Sequence, residues 1–134
     1  MRRLIRHFIA SLLTAGLLYS TAVLAQPADP AAVDAVHDYL QSLMLGDTTR
    51  LRDRMSDTDS NKQQRKLLNN PNYARRLEEA YANSTYGIVG DEQVAPDRAH
   101  VDVEITLETG HPLNVRFVLE VDPADGNYRI VEEI

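Results

Sequence analysis

Chemistry in this chain must come from carboxylates, tyrosines and histidines, because it contains no cysteine. Thiol catalysis and thiolate metal sites are therefore excluded. His37, His100 and His111 are dispersed, with no spacing that would gather a metal site, and each reads as a surface residue. Asp57, Asp59 and Asn61 alternate like the opening of a calcium loop, but the central glycine and the closing glutamate are missing, so the stretch reads as a turn. There is no phosphate-binding glycine loop and no nucleophile elbow. No metal and no cofactor is expected. What remains is a small set of aromatic residues and acids. Tyr39, Tyr81, Phe117 and Glu132 are candidates for one pocket, while Asp102, Glu104, Glu108 and Glu120 read as a solvated sheet face.

Whether those residues can meet depends on the elements that carry them. Pro30 suits the first position of a helix, since its missing N–H costs nothing there. Val33, Val36, Leu40 and Leu43 recur at three- and four-residue steps, with Tyr39 and Met44 flanking the stripe. Gly46 ends this helix in the left-handed position, and Asp47 can cap a second, short one that turns Leu51 and Met55 inward and Arg50, Arg52 and Arg54 outward. Ser56 to Ser60 is a polar turn, and residues 62–68 form a weaker helical stretch. Asn70-Pro71 restarts the chain as a cap plus first-turn proline, ahead of a helix with Tyr73, Leu77, Ala80 and Tyr81 on one face. The helices occupy roughly residues 30–83.

From residue 84 the period becomes two. Residues 84–94 form a first strand in which Gly87 and Gly90 point to a bulge or bend. Val101, Val103, Ile105 and Leu107 alternate with polar residues, as do Leu113, Val115, Phe117, Leu119 and Val121; Tyr128 and Ile130 open the last strand. Keeping apolar residues on one face sets an expected register. A loop at 109–111 pairs Ile105 with Val115 and Glu104 with Arg116. A loop over 122–127 pairs Leu119 with Ile130, Glu120 with Arg129, Val118 with Val131 and Arg116 with Glu133. Both hairpins set acid against base on the outer face, each pair worth about 0.2–1 kcal/mol. The expected fold is α+β: N-terminal helices packed on a curved four-stranded antiparallel sheet, in two layers.

In that register Glu132 falls on the apolar face opposite Phe117. A lone carboxylate there is costly unless it is paired or reaches water. Two readings stand: Glu132 lies at a pocket entrance with Tyr39, Tyr81 and Phe117, or the strand frays and leaves it exposed.

The stretch from Val36 through Gly46-Asp47 to Leu51, together with Asp125-Gly-Asn-Tyr-Arg-Ile130, resembles the nuclear transport factor two-like superfamily, also called the cystatin-like cone fold. The resemblance covers residues 31–134 and implies a cone-shaped domain. It says little about activity, because such folds host enzymes, ligand binders and assembly factors. Enzymes of the fold that resemble ketosteroid isomerase pair a carboxylate base with a tyrosine and a protonated aspartic acid. Tyr39 matches the tyrosine's place, eight residues before Asp47. The base would fall near Gln63 and the second donor near Phe117, and neither residue can serve. A core tyrosine whose hydroxyl finds one partner accounts for Tyr39 more simply.

Residues 1–25 read as a cleavable secretory leader: Arg2, Arg3 and Arg6, then an 11-residue apolar run from Phe8 to Leu18, then small residues up to Ala25. That run is short of the roughly 20 residues a membrane span needs, so no anchor is expected after cleavage. Residues 26–30 read as a short flexible tail, and the compartment as periplasmic or extracellular. The remainder carries eleven basic and twenty acidic residues, a net charge of −9, which argues against nucleic acid as partner. The expected function is an exported, non-catalytic binding or interaction module. It would take a small apolar ligand in the cone, or an unknown protein partner on the sheet face formed by Glu104, Arg116, Val118, Glu120, Arg129 and Val131. The superfamily resemblance makes a homodimer through that face plausible. The alternative is a cofactor-free acid–base enzyme resembling ketosteroid isomerase. A third expectation, an accessory to a larger envelope assembly, would show as an apolar patch at Leu67, Leu68 and Tyr73.

Overall fold

The computed structural model describes residues 26–134; the expected leader lies outside the described residues. Helix α1 (Pro30–Leu45) is capped by the Asp29 side chain, which accepts from the Ala31 amide at 2.9 Å, and has Pro30 in its first turn. Its buried residues, Ala32, Ala35, Val36, Tyr39, Leu40, Ser42 and Leu43, trace one helical stripe. Gly46 follows at φ +66°, and a Cβ added there would lie 3.0 Å from the Glu78 Cβ. Glycine is thus required both for the left-handed turn and for the approach of the helix that carries Glu78. The Asp47 side chain accepts from the Arg50 amide and caps α2 (Thr48–Arg54), which buries Leu51. Helix α3 (Asp59–Leu67) and helix α4 (Pro71–Tyr81) follow, the latter capped by Asn70. Helix α4 lies at the periphery: Tyr73, Leu77 and Tyr81 are half-buried against the core, while Ala80 is exposed.

Strands β1 (Thr85–Ala95), β2 (Arg98–Thr106), β3 (Pro112–Val121) and β4 (Tyr128–Glu133) form an antiparallel meander in the order β1-β2-β3-β4. Ala99, Val101, Val103, Ile105, Phe117, Leu119, Tyr128 and Ile130 project from its concave face against α1, Leu51 and Met55. The sheet curls enough for the Gln93 amide on β1 to donate to the Tyr128 hydroxyl on β4 at 2.9 Å. The fold is the expected α+β domain with a curved four-stranded sheet.

The β1 bulges fall at Val89 and Val94, and both side chains are turned out into solvent. Two registers differ from expectation. Between β2 and β3, Ile105 faces Leu113, Val103 faces Val115 and Asp102, not Glu104, faces Arg116. The slip is two residues, which leaves every side chain on its own face and exchanges one acid for another opposite Arg116, so alternation is blind to it. The turn decides: Gly110 sits at φ +82°, and the loop closes between the Leu107 amide and the His111 carbonyl, 3.1 Å apart.

Between β3 and β4, Val121–Tyr128, Leu119–Ile130 and Glu120–Arg129 pair as expected. A bulge at Val131 then shifts the partners: Glu132 faces Val118, Glu133 faces Phe117 and Ile134 exchanges hydrogen bonds with Arg116. Val118–Val131 and Arg116–Glu133 are therefore not pairs. The bulge is held from outside the sheet. The Ser56 amide and the Asn61 side chain donate to the Ile130 carbonyl at 2.9 and 2.7 Å, and the Ser60 hydroxyl donates to the Val131 carbonyl at 2.7 Å. These contacts also occupy the outer edge of β4. The opposite edge is occupied as well, and here the expected flexible tail differs. The Gln93 amide donates to the Gln26 carbonyl, the Ala28 amide to Asp91 and the Asp29 amide to the Gln93 side chain, all at 2.8–2.9 Å, and Ala28 is buried.

Candidate functional site

The bulge at Val131 determines which carboxylate meets the core. Glu132 is exposed on the outer side, and Glu133 takes the place expected for it, opposite Phe117. The Tyr39 hydroxyl, projecting from the third turn of α1, donates to Glu133 Oε1 at 2.5 Å. The Tyr39 ring meets Phe117 edge-on with centroids 5.6 Å apart. Gln64 on α3 donates its Nε2 to the Tyr39 oxygen at 3.4 Å. Tyr81, at the end of α4, is half-buried and close enough for the Glu133 charge to act on it.

The electrostatics follow from this packing. Burial raises the pKa of Glu133, and the Tyr39 hydrogen bond pulls it the other way. Burial, then the Glu133 charge, push the Tyr39 hydroxyl well above the ordinary tyrosine range, so it stays a donor. The same two causes raise Tyr81. As a residue Glu133 keeps solvent contact, whereas Tyr39 and Phe117 retain only 2% and 1% of their accessible surface. Of the four candidate pocket residues, the structure brings Tyr39, Phe117 and Tyr81 together and leaves Glu132 outside. Tyr39 and Phe117 thus sit within the core, with Tyr81 at its margin. Gln63 is exposed, and its neighbour Gln64 is an amide with no basic lone pair to abstract a proton. His37 pairs its Nδ1 with the Tyr86 hydroxyl at 2.9 Å, away from this cluster.

Gln64 and Glu133 were missed in the sequence. Gln64 lay inside a polar stretch with no periodic signal, and Glu133 was displaced by one residue through a bulge that only tertiary contacts reveal. Of the residues expected to form an apolar helix-side patch, Leu68 is buried and Tyr73 half-buried, because Leu68 packs into the core; Leu67 is exposed.

On the outer sheet face the arginines are already paired. Arg116 makes a two-pronged contact with Asp102, Nε to Oδ1 at 2.7 Å and Nη2 to Oδ2 at 3.1 Å. These bonds hold the Asp102 carboxyl below its usual range. Arg98 pairs with Glu120 at 3.1 Å. Arg129 turns instead to Asp122 and Asp125 in its own hairpin, while Glu104 lies opposite Asn114. Val118 is buried and Val131 half-buried, so neither offers the apolar surface expected of it. The apolar surface lies at Val89 and Ile134, 66% and 69% exposed. They flank a shallow depression of about 370 Å³, also lined by Asp102, Asn114, Val115 and Arg116.

Comparison with solved structures places this geometry. An NTF2-like protein of unknown function from Shewanella baltica superposes with a TM-score of 0.55 at 15% identity, covering 78% of this chain and 88% of the other. A ketosteroid isomerase-like protein from Erwinia carotovora atroseptica gives 0.51 at 16% identity, covering 77% and 90%. An NTF2-like protein from Campylobacter jejuni gives 0.53 at 13% identity, covering 78% and 99%. No family model and no curated protein matches the chain. At these identities the likeness is one of fold: the chain has the NTF2-like, cystatin-like cone fold.

Proposed function

We propose that this chain is an exported, non-catalytic interaction module that works through the outer face of its sheet, with a second copy of itself as the partner. The observation that carries this reading is a row running across β1, β2 and β3 to the residue that follows β4. Gly90 with Val89, then Asp102, Arg116 and Ile134, stand side by side on the outer face, in the order apolar, acid, base, apolar. A two-fold axis parallel to the strands, passing between β2 and β3, would lay β1 of one copy over β4 of the other. Val89 then meets the mate's Ile134, and Asp102 the mate's Arg116, so the row is complementary to itself. Gly90, which has no side chain, keeps the row shallow at its β1 end.

The acid–base alternative asks for a tyrosine hydroxyl and a carboxylate free to reach a substrate. Tyr39 and Glu133 instead hold each other, and Tyr39 is almost wholly buried. Export rests on the three-part pattern of residues 1–25. The test is sedimentation velocity on the purified chain over a concentration series. A dimer should form, weaken in Ile134→Asp and in Val89→Asp, weaken in Arg116→Asp alone, and recover in the Asp102→Arg, Arg116→Asp double variant. Because Val89 and Ile134 are exposed, their variants leave the monomer intact. A chain that stays monomeric at every concentration, or a dimer indifferent to these changes, would overturn the reading.

A further inference from the structure

A second concave site lies where α1, α2 and the start of β4 meet. It is a groove of about 450 Å³ lined by Asp38, Arg50, Asp53, Arg54, Asn127 and Arg129. Its volume is within the range of small-molecule sites, roughly 300–1,000 Å³. Three guanidinium groups from two elements converge on it. Asp38 holds two of them: Arg54 Nε lies 2.7 Å from its Oδ2, and Arg50 Nη2 contacts its Oδ1. One carboxylate cannot neutralise both, so this trio keeps a surplus positive charge. Among the described residues, Arg54 spends one of its five N–H groups and Arg50 likewise one from its guanidinium, leaving the rest directed at solvent or ligand. Arg129 approaches from β4 with its guanidinium held by Asp122 and Asp125, which offset its charge, and Asn127 adds an amide. The surplus positive charge is therefore confined to Arg50 and Arg54, on a domain whose residues 26–134 together carry −9.

The geometry points to a binding site for a small hydroxycarboxylate. Planar guanidinium forks match the planar two-oxygen carboxylate, as the hold of Arg116 on Asp102 shows elsewhere in this chain. Asp53 selects what accompanies it. This carboxylate is exposed on the groove wall and pairs with no described residue, so it can accept hydrogen bonds from ligand hydroxyls. It also disfavours a doubly charged anion such as phosphate, which both wall acids would repel twice as strongly as a monoanion. This site is separate from the self-association face and from the Tyr39–Glu133 pair, so its fate is independent of the function proposed above.

The test uses ¹⁵N-labelled chain and follows the arginine Nε–Hε signals during titration with D-glucuronate, acetate, inorganic phosphate and D-glucose. Glucuronate should shift the signals of Arg50, Arg54 and Arg129 saturably while Arg98 and Arg116 stay still. Phosphate should bind more weakly and glucose not at all. Arg54→Gln should weaken glucuronate by about ten- to a hundred-fold, the loss expected for charge-assisted hydrogen bonds. Asp53→Asn, an exposed change that leaves the fold alone, should weaken glucuronate yet strengthen acetate, which has no hydroxyl to lose. The proposal is overturned if no saturable shift occurs, if all arginines respond alike, if phosphate binds as well as glucuronate, or if Asp53→Asn moves both carboxylates in the same direction.

Discussion

Replacing Tyr39 by phenylalanine removes one oxygen and leaves the ring seated against Phe117, so it isolates the hydrogen bond to Glu133. A hydrogen bond to a charged group contributes about 1.5–3 kcal/mol, and one between neutral groups about 0.5–1.5 kcal/mol. Because Glu133 keeps solvent contact, water will partly replace the lost donor, and the lower end of the first range applies. Tyr39→Phe should therefore cost about 1.5 kcal/mol at neutral pH, a drop in Tm of roughly 6–12 °C for a domain of this size. The cost should shrink in acid. Glu133 has a folded pKa already raised by burial, so the native state gains from its protonation: that stability is present below the unfolded pKa and lost as pH rises through the folded one. Removing the Tyr39 donor takes away the interaction that lowers this pKa, so the carboxyl should protonate at higher pH still. Urea unfolding across the acid-to-neutral range, alongside ¹³C titration of the Glu133 carboxyl, measures both effects. Glu132→Gln should leave stability and titration unchanged. An equal loss at acid and neutral pH with an unmoved Glu133 titration would refute the coupling, and a sensitive Glu132 would refute the bulged register.

Two further substitutions test the supports of this site. Gly46→Ala forces a side chain into a left-handed turn and against Glu78, and should destabilise by about 1–2 kcal/mol in thermal melts; an unchanged Tm would mean that α4 does not dock there. Asn61→Leu strips the buried donor from the Ile130 and Ser56 carbonyls, costs about 1–3 kcal/mol, and should raise hydrogen exchange in β4 above that in β2; uniform exchange would show that α3 does not hold the strand edge.

Much of the fold was written in the sequence because its determinants are local. The stripe of α1, the caps at Asp47 and Asn70, the left-handed Gly46 and the period-two strands each follow from neighbours within a few residues. The parity of β2, of β3 and of β4 as far as Ile130 was legible for the same reason. Tyr39 and Phe117 were legible as neighbours because one flanks the apolar stripe of α1 and the other lies on the apolar face of β3.

What failed was register, and with it the identity of the carboxylate. A slip of two residues at the β2–β3 hairpin costs no burial, so hydrophobic alternation could not choose between Glu104 and Asp102 as the partner of Arg116. The bulge at Val131 depends on donors from Ser56, Ser60 and Asn61, some seventy residues away in the chain. The arginine groove joins residues of α1 and α2 to the start of β4, and nothing in the separation between Asp38 and Arg129 announces it. The sequence by itself determined the elements, their faces and the net charge, since these depend on short-range periodicity and composition. The tertiary structure alone decided which polar groups meet, because strand register and edge contacts are settled by long-range hydrogen bonds that leave no periodic trace.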